Sequence, residues 1–207
     1  MVKITAPMMS LGASGTLGDA ITFSIWKGRA YVRERVIPSN PKSGAQTGRR
    51  AMFQFLTQNW AAISTASKAT WQDLADQIVA LKFNAYVKQG MEDWHNFLAP
   101  AHETPATRAG TPSDNDLDAA VWEENRIKIT ASGSALGNNW GKVLYGSLTG
   151  VFTPSVGNCI LVLPDTTIAS HDIFWTPPSV ATWYINIMTF SDDGVLSAAG
   201  TEQTATP

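Results

Sequence analysis

The C-terminal half of the chain contains the stretch TWYINIMTFSDDGVLS at residues 182–197. Apolar residues recur at every second position from Trp183 to Ile187, which predicts a β-strand. Asp192-Asp193-Gly194 follows and is typical of a tight hairpin turn. A final strand is expected from residue 195 to about residue 204, so this stretch predicts the closing hairpin of a β-domain.

Further short apolar or alternating segments lie upstream, at residues 126–130, 143–146, 159–163 and 168–175. Turn residues separate them at regular intervals. About seven short strands with this spacing predict a β-sandwich. We therefore expect an all-β domain at residues 119–207.

A second hairpin is predicted near the N-terminus, in residues 20–36. Apolar residues at positions 21, 23 and 25 alternate with Thr22 and Ser24, and Gly28 relieves the turn. After the turn, Arg33 and Arg35 share one face and Glu34 takes the other. The hairpin is thus expected to have one apolar and one basic side.

Three amphipathic helices are predicted between this hairpin and residue 99, the second capped by Ser64-Thr65 and the third by Asn84. Their apolar stripes are Phe53, Leu56, Trp60 and Ile63; Trp71, Leu74, Ala75 and Ile78; and Val87, Met91, Trp94 and Leu98. Residues 100–118 contain several breakers and few apolar residues, which predicts a linker. The expected class is α+β: an arm, hairpin and helical anchor at 1–99, a linker at 100–118 and the sandwich at 119–207.

The charge of the chain is unevenly distributed. The net charge is −2, but residues 1–60 carry eight basic and two acidic residues, whereas residues 101–207 carry four basic and eleven acidic ones. A basic head binds either nucleic acid or an acidic protein surface. No apolar run approaches the length of a membrane span, and the first residues do not have the pattern of a secretory signal, so no membrane partner is expected.

Nothing in the sequence predicts a catalytic or metal centre. Cys159 lies in an apolar strand and is expected to be a buried, inert thiol. His95, His102 and His171 lie on different elements without a second ligand at metal-binding spacing. The acidic residues 114–118 fail the calcium-loop pattern at its sixth and twelfth positions. We expect no enzyme activity and no cofactor.

The basic hairpin is the predicted partner-binding site. Its residues are Trp26, Lys27, Arg29, Tyr31, Arg33 and Arg35. Aromatic residues among cations can form a stacking surface for nucleic acid. The favoured interpretation is instead that Trp26 and Tyr31 are packed, while the arginines pair with acidic groups of a neighbouring subunit.

Residues 12–90 resemble a group of uncharacterised virion structural proteins of tailed phages. The resemblance lies in Ser14-Gly15-Thr16-Leu17-Gly18, Trp26-Lys27-Gly28-Arg29, Asn40-Pro41, Gln46-Thr47-Gly48-Arg49 and Phe83-Asn84-Ala85-Tyr86, in that order. It implies a virion component assembled in the host cytoplasm, with other virion subunits as partners. It implies no mechanism at the level of residues.

The last hundred residues resemble a fibronectin type III or related immunoglobulin-like domain. Residues 182–190, 192–194 and 195–197 correspond to the penultimate strand, the turn and the last strand of such a domain, and residues 169–175 to a preceding strand. The early strand with a core tryptophan is less evident, and Trp122 or Trp140 are the candidates for that ring.

These expectations combine into a non-enzymatic phage structural protein, first of all a head-associated decoration or minor capsid protein. It would dock through its basic hairpin, present a sandwich, and form a homo-oligomer. One alternative is a tail-fibre, spike or adhesin component binding a host surface glycan, for which aromatics around Trp140 and Phe152 should be exposed. The other is a nucleic-acid-binding protein that uses the basic head.

Overall fold

A computed structural model of the chain describes residues 2–3, 15–17, 20–37, 43–112, 117–132, 139–164 and 170–207. The chain divides into two compact units, Met1–Pro41 and Lys42–Pro207. We call them the N-terminal unit and the main unit. The predicted boundaries at residues 99 and 118 are therefore wrong, because the helices and the sandwich belong to one unit.

The N-terminal unit is a four-stranded antiparallel sheet. Its strands are β1 (Val2–Lys3), β2 (Gly15–Leu17), β3 (Ile21–Trp26) and β4 (Arg29–Glu34), in the order β1-β4-β3-β2. The predicted hairpin is β3–β4. Its turn residues Lys27 and Gly28 have φ of 49° and 76°. A two-residue turn with both φ values positive matches the right-handed twist of the strands, which accounts for glycine at the second position.

The main unit begins with four helices. They are α1 (Gly44–Asn59), α2 (Thr65–Thr70), α3 (Gln72–Gln77) and α4 (Lys82–His95), with a 3-10 turn at Trp60–Ala62. The Ser64 cap is confirmed, since its Oγ accepts from the Ser67 amide at 3.0 Å. The Asn84 cap is wrong, because α4 begins at Lys82 with Leu81 at the cap position.

Seven strands in two sheets form the rest of the main unit. They are β5 (Leu117–Glu123), β6 (Arg126–Ser132), β7 (Asn139–Ser147), β8 (Cys159–Pro164), β9 (Ser170–Trp175), β10 (Trp183–Ser191) and β11 (Gln203–Ala205). One sheet has the order β5-β6-β9 and the other β11-β10-β7-β8. The predicted sandwich is thus present, but it is one part of a larger packed unit.

The four-stranded sheet of the main unit is buried on both faces. One face contributes Leu144, Ile185 and Ile187 to a core shared with the three-stranded sheet. The other contributes side chains such as Tyr145 and Phe190 to a second core, shared with the helices. The main unit therefore has three layers: helices, four-stranded sheet and three-stranded sheet.

The sheet selects which face of each helix is buried. α1 buries Met52, Phe55 and Leu56, whereas Phe53, placed in the predicted stripe, is exposed. Leu98 in the third stripe is exposed as well. The sequence of α1 has apolar residues on two adjoining faces, and only the position of the sheet decides between them.

Residues 100–112 are not a linker. Ala99 and Ala101 are buried, and the His102 amide donates to the Asp192 carbonyl at 2.7 Å. The Arg108 guanidinium lies 3.2 Å from an Asp93 carboxylate oxygen on α4 and donates to the Gly194 carbonyl at 2.6 Å. Breaker residues remove regular structure without removing packing, since side chains and backbone groups satisfy each other here.

The two ends of the sandwich also differ from expectation. The segment predicted as a linker up to residue 118 already contains the start of β5. The predicted last strand, residues 195–204, is mostly irregular: Leu196 forms an isolated bridge with Phe190, and regular pairing resumes only at β11. Isolated backbone hydrogen bonds hold the irregular part. The Ser197 amide donates to the Thr189 carbonyl, and the Gly200 amide donates to the Ile187 carbonyl.

Trp122, on β5, lies against the core between the two sheets, as Trp175 and Trp183 also do, and its Nε1 donates to the Ala205 carbonyl at 3.2 Å. Trp140 faces the helices instead and contacts Phe55 and Phe190. The candidate Trp122 is thus confirmed as a ring of the sandwich core.

Two glycines let α1 approach β8 and the 3-10 turn Val156–Asn158 that precedes it. A Cβ on Gly44 would lie 1.9 Å from the Gly157 carbonyl oxygen, and one on Gly48 would lie 2.8 Å from the Cys159 Cβ. Both positions therefore require the absence of a side chain.

We predict that Gly44→Ala destabilises the main unit by about 1 to 3 kcal/mol, because backbone atoms must move to admit the methyl group. An exposed helical Gly→Ala change normally stabilises by about 1 kcal/mol. Urea unfolding measures the difference. Gly157→Ala is the matched control, since its Cβ would meet nothing closer than 3.6 Å. Equal stability of Gly44→Ala and wild type would contradict the close approach.

Candidate functional site

The pairing register of β3 and β4 places four of the six predicted site residues on the same side of the sheet. Trp26 pairs with Arg29, Ser24 with Tyr31, and Thr22 with Arg33. Directly paired residues of antiparallel strands project to the same side of a sheet. These six side chains therefore share one surface, which we call the basic face.

The other two predicted residues lie at the ends of the hairpin. Lys27 occupies the turn, where its Nζ lies 4.9 Å from the centroid of the Trp26 ring, a cation–π distance. Arg35 follows β4, and its amide donates to the Ala20 carbonyl at 2.8 Å. The hairpin brings all six predicted residues together. Their role in partner binding stays a prediction.

Trp26 is not packed as expected: 60% of its surface is exposed. Tyr31 is half-buried. Among the described residues 15–17 and 20–37 there are four basic side chains and one acidic one, Glu34, which pairs with Ile21 on the opposite face. The basic face thus presents an exposed indole beside Lys27 and Arg29.

The opposite side of the sheet, which we call the apolar face, was predicted as apolar but not as a site. Its residues are Leu17, Ile21, Phe23, Ile25, Ala30 and Val32. Leu17 and Ile25 are 51% and 56% exposed, and no described residue of the unit is buried. The alternation in both strands marks this face in the sequence. The exposure of its residues becomes evident only in the structure.

The main unit contains a cavity of about 570 Å³ at the side where β8 and β9 end the two sheets. The side chains of Ile160, Trp175, Pro178 and Trp183 are among those that line it, and no described lining residue is charged. Its Ser147 and Thr149 hydroxyls are 3.0 Å apart and bond to each other. The described lining thus offers apolar contact and no acid–base group.

Cys159 also lines this cavity and is 1% exposed. Burial raises the pKa of its thiol to about 12, so the thiol is protonated near neutral pH. The thiolate is the reactive form of cysteine. The prediction of a buried thiol is confirmed, and its inertness stays a prediction.

A smaller polar cavity of about 200 Å³ surrounds His102, Glu103, Asp192 and Asp193. The Asp193 carboxylate accepts hydrogen bonds from the Ala109 and Gly110 amides and from the Ser191 hydroxyl. Ser67 Oγ donates to the Glu103 carboxylate at 3.0 Å. Asp193 thus holds residues 109–110 against the turn after β10, and Glu103 holds the start of the segment against α2.

His102 is the unusual group in this cavity. Its ring stands edge-on to Trp140, with 4.2 Å between centroids, and its Nε2 is buried without a hydrogen-bond partner in the described structure. Burial lowers the pKa of His102, against the opposing effect of Asp192 and Glu103. Burial thus favours the neutral form of the imidazole.

The remaining predictions about sites have mixed outcomes. His95 is the last residue of α4, and its Nδ1 lies 3.2 Å from an Arg49 guanidinium nitrogen. The side chain of His171 and residues 114–116 lie outside the described residues. Among the residues that are described, no three His, Cys, Asp or Glu side chains are grouped to hold a metal ion. No described helix is long and apolar enough to cross a membrane.

No protein-family model matches the sequence, and no curated protein is significantly similar to it. Among solved structures, the chain is similar to the Clostridium perfringens spore cortex lytic enzyme SleM, with 18% identity and a TM-score of 0.36 over 46% of this chain and 28% of that one. It is also similar to a Fn3-like protein from Clostridium thermocellum, with 16% identity and a TM-score of 0.36 over 47% of this chain and 94% of that one. At these TM-scores neither likeness carries an argument, and the sandwich rests on the strand pairing itself.

We predict that the stability of the main unit falls as the pH is lowered through the ordinary pKa of histidine, from about pH 7 to about pH 5. The folded-state pKa of His102 is below its unfolded value. Stability is therefore fully present above the unfolded pKa and is lost as the pH falls towards the folded pKa. Urea unfolding at a series of pH values measures the decline.

His102→Gln should flatten this pH dependence, whereas His95→Gln, a change at an exposed histidine, should leave it intact. An unchanged pH profile in His102→Gln would contradict the assignment.

Proposed function

We propose that this protein is a non-enzymatic structural component of a tailed-phage virion, first of all a head-associated decoration or minor capsid protein. The phage context comes from the motifs of residues 12–90 that resemble virion proteins. The N-terminal unit docks the chain on acidic surfaces of other virion subunits, and the main unit is the stable body that it attaches.

The observation that carries this proposal is the basic face. Trp26, Arg29 and Arg33 stand on one side of the sheet. Arginine and tryptophan are the side chains that most often dominate binding energy at protein interfaces. An exposed indole flanked by cations and without a neighbouring acid in the described part of the sheet is suited to an acidic protein surface with an apolar centre.

The main unit supports a body role through its packing. Its sandwich places its first, second and fifth strands in one sheet and its third, fourth, sixth and seventh in the other. Immunoglobulin-like sandwiches divide strands A, B and E from strands C, F and G in the same way. We propose a fibronectin type III-like sandwich whose four-stranded sheet has a helical layer added on its outer face.

The geometry gives less support to the glycan-binding alternative. It required exposed aromatics near Trp140 and Phe152, yet both rings are half-buried and pack against the helical core. The cavity beside Trp175 is apolar, and its Ser147 and Thr149 hydroxyls bond to each other.

We predict that the double charge reversal Arg29→Glu, Arg33→Glu lowers incorporation of the protein into particles by about tenfold or more, since each reversed contact at an interface costs several-fold in affinity. The measurement is the amount of the chain in purified particles, by quantitative mass spectrometry. Lys88→Glu, a reversal at an exposed lysine of α4, is the matched control and should load normally. Normal loading of the double variant would exclude the basic face as the anchor.

Nucleic acid is the second candidate partner, and one observation favours it: the exposure of Trp26. Bases stack on exposed indoles, and cations alongside bind the phosphates. In this case Trp26→Ala and Arg29→Glu should both weaken binding of a single-stranded oligonucleotide by the purified chain, and added salt should reduce the affinity steeply. Absence of oligonucleotide binding at low salt would leave the protein surface as the partner.

A further inference from the structure

We propose that the apolar face of the N-terminal sheet is a homodimer interface, on which the same face of a second copy packs. The inference rests on the proposed assembly role only where it explains what the dimer is for. That role is to present two basic faces from one dimer. The self-association itself is a property of the purified chain.

The first argument is stability. No described residue of the N-terminal unit is buried. Sheets need a second layer to bury their apolar side, and units of about 40 residues usually need a disulfide, a metal or association to fold. The single cysteine of the chain is at position 159, and no metal group is found among the described residues. Association with a second copy would supply the missing second layer.

The second argument is the distribution of charge between the two sides. Stacking two basic faces would bring Arg29 and Arg33 of each copy together without acids between them, and like charges in a desolvated interface repel. On the apolar face the sole ionisable residue in the described structure is Glu34, which pairs with Ile21 at the end of the hairpin away from the turn. The apolar face is self-complementary, and the basic face is not.

The third argument is the position of the apolar and charged residues on the face itself. The order β1-β4-β3-β2 places the hairpin at the centre of the sheet, so Phe23 and Val32, which pair directly, lie in the middle. The charged Glu34 lies at the rim. An apolar centre with a charged rim is the usual anatomy of a protein interface.

A two-fold axis through the centre of the face would produce an ordinary two-layer sandwich. The two sheets would lie about 10 Å apart with their strands crossing at about 30°. Each copy would contribute the same residues, as in an isologous interface. Both basic faces would then point outward on opposite sides of the dimer, which doubles the contacts available to a repetitive surface.

The experiment measures the mass of the full-length chain by sedimentation equilibrium from micromolar to hundreds of micromolar concentration. We expect a dimer. Ile25→Asp, a change at the most exposed residue of the apolar face, should weaken dimerisation by about a hundredfold or more, given the cost of burying an unpaired charge. Ser24→Asp is the matched control, because Ser24 is the neighbouring residue on the basic face, and it should remain dimeric.

A second measurement guards against a variant that merely unfolds the sheet. Cys159 is buried, so a thiol reagent reacts with introduced cysteines alone. A bis-maleimide spanning about 10 Å, the spacing of packed sheets, should cross-link I25C into covalent dimers and leave S24C monomeric on denaturing gels. A monomeric wild type, a dimer that survives Ile25→Asp, or equal cross-linking of I25C and S24C would each overturn the interface.

The outcomes separate this inference from the proposed docking function. The Arg29→Glu, Arg33→Glu variant should stay dimeric while it fails to enter particles. A monomeric wild type whose loading still depends on Arg29 and Arg33 would overturn the dimer and leave the docking function standing. If the chain is dimeric but its charge-reversed variant loads normally, the docking function is overturned and the dimer interface stands.

Discussion

The main unit depends on burial of one sheet on both sides. β10 is buried at nearly every position, so apolar side chains of opposite parity enter two different cores. Ile185 and Ile187 pack between the sheets, while Met188 and Phe190 pack under the helices. Removing either outer layer would expose a face of the central sheet to water. The helices are therefore as necessary to this fold as the second sheet of the sandwich.

The irregular segment after α4 completes this arrangement. It is held by the Arg108 guanidinium, which contacts Asp93 on α4 and the Gly194 carbonyl in the turn after β10, and by the hydrogen bonds that Asp193 accepts. Charged groups of the main unit thus join the helical layer to the sandwich. The neutral His102, packed on Trp140, belongs to the same contact. Their perturbed environments are explained by structure, and they need no catalytic role.

The N-terminal unit presents the opposite situation, since its sheet has two distinct faces and none of its described residues is buried. One face combines Trp26 with arginines, and the other is apolar around Phe23 and Val32. Structural proteins of repetitive assemblies bind through such surfaces, and the strength of the binding comes from the number of sites as much as from each contact. A dimer built on the apolar face would leave the basic faces free for docking.

The strands of the sandwich, the N-terminal hairpin with its turn at Gly28, the Ser64 cap and the buried Cys159 could be predicted from the sequence, because each depends on a local pattern: alternation, a turn requirement or an apolar run. The buried side of α1, the packing of residues 100–112 and the inward orientation of Trp140 could not, because they depend on which surfaces meet. Phe53 and Phe55 are equally apolar, and only the sheet beneath the helix buries one and exposes the other. The sequence by itself determined the elements and the two-sided character of the hairpin. The tertiary structure alone decided which apolar surfaces of the main unit are covered, since burial is a property of the neighbours that a residue meets in space.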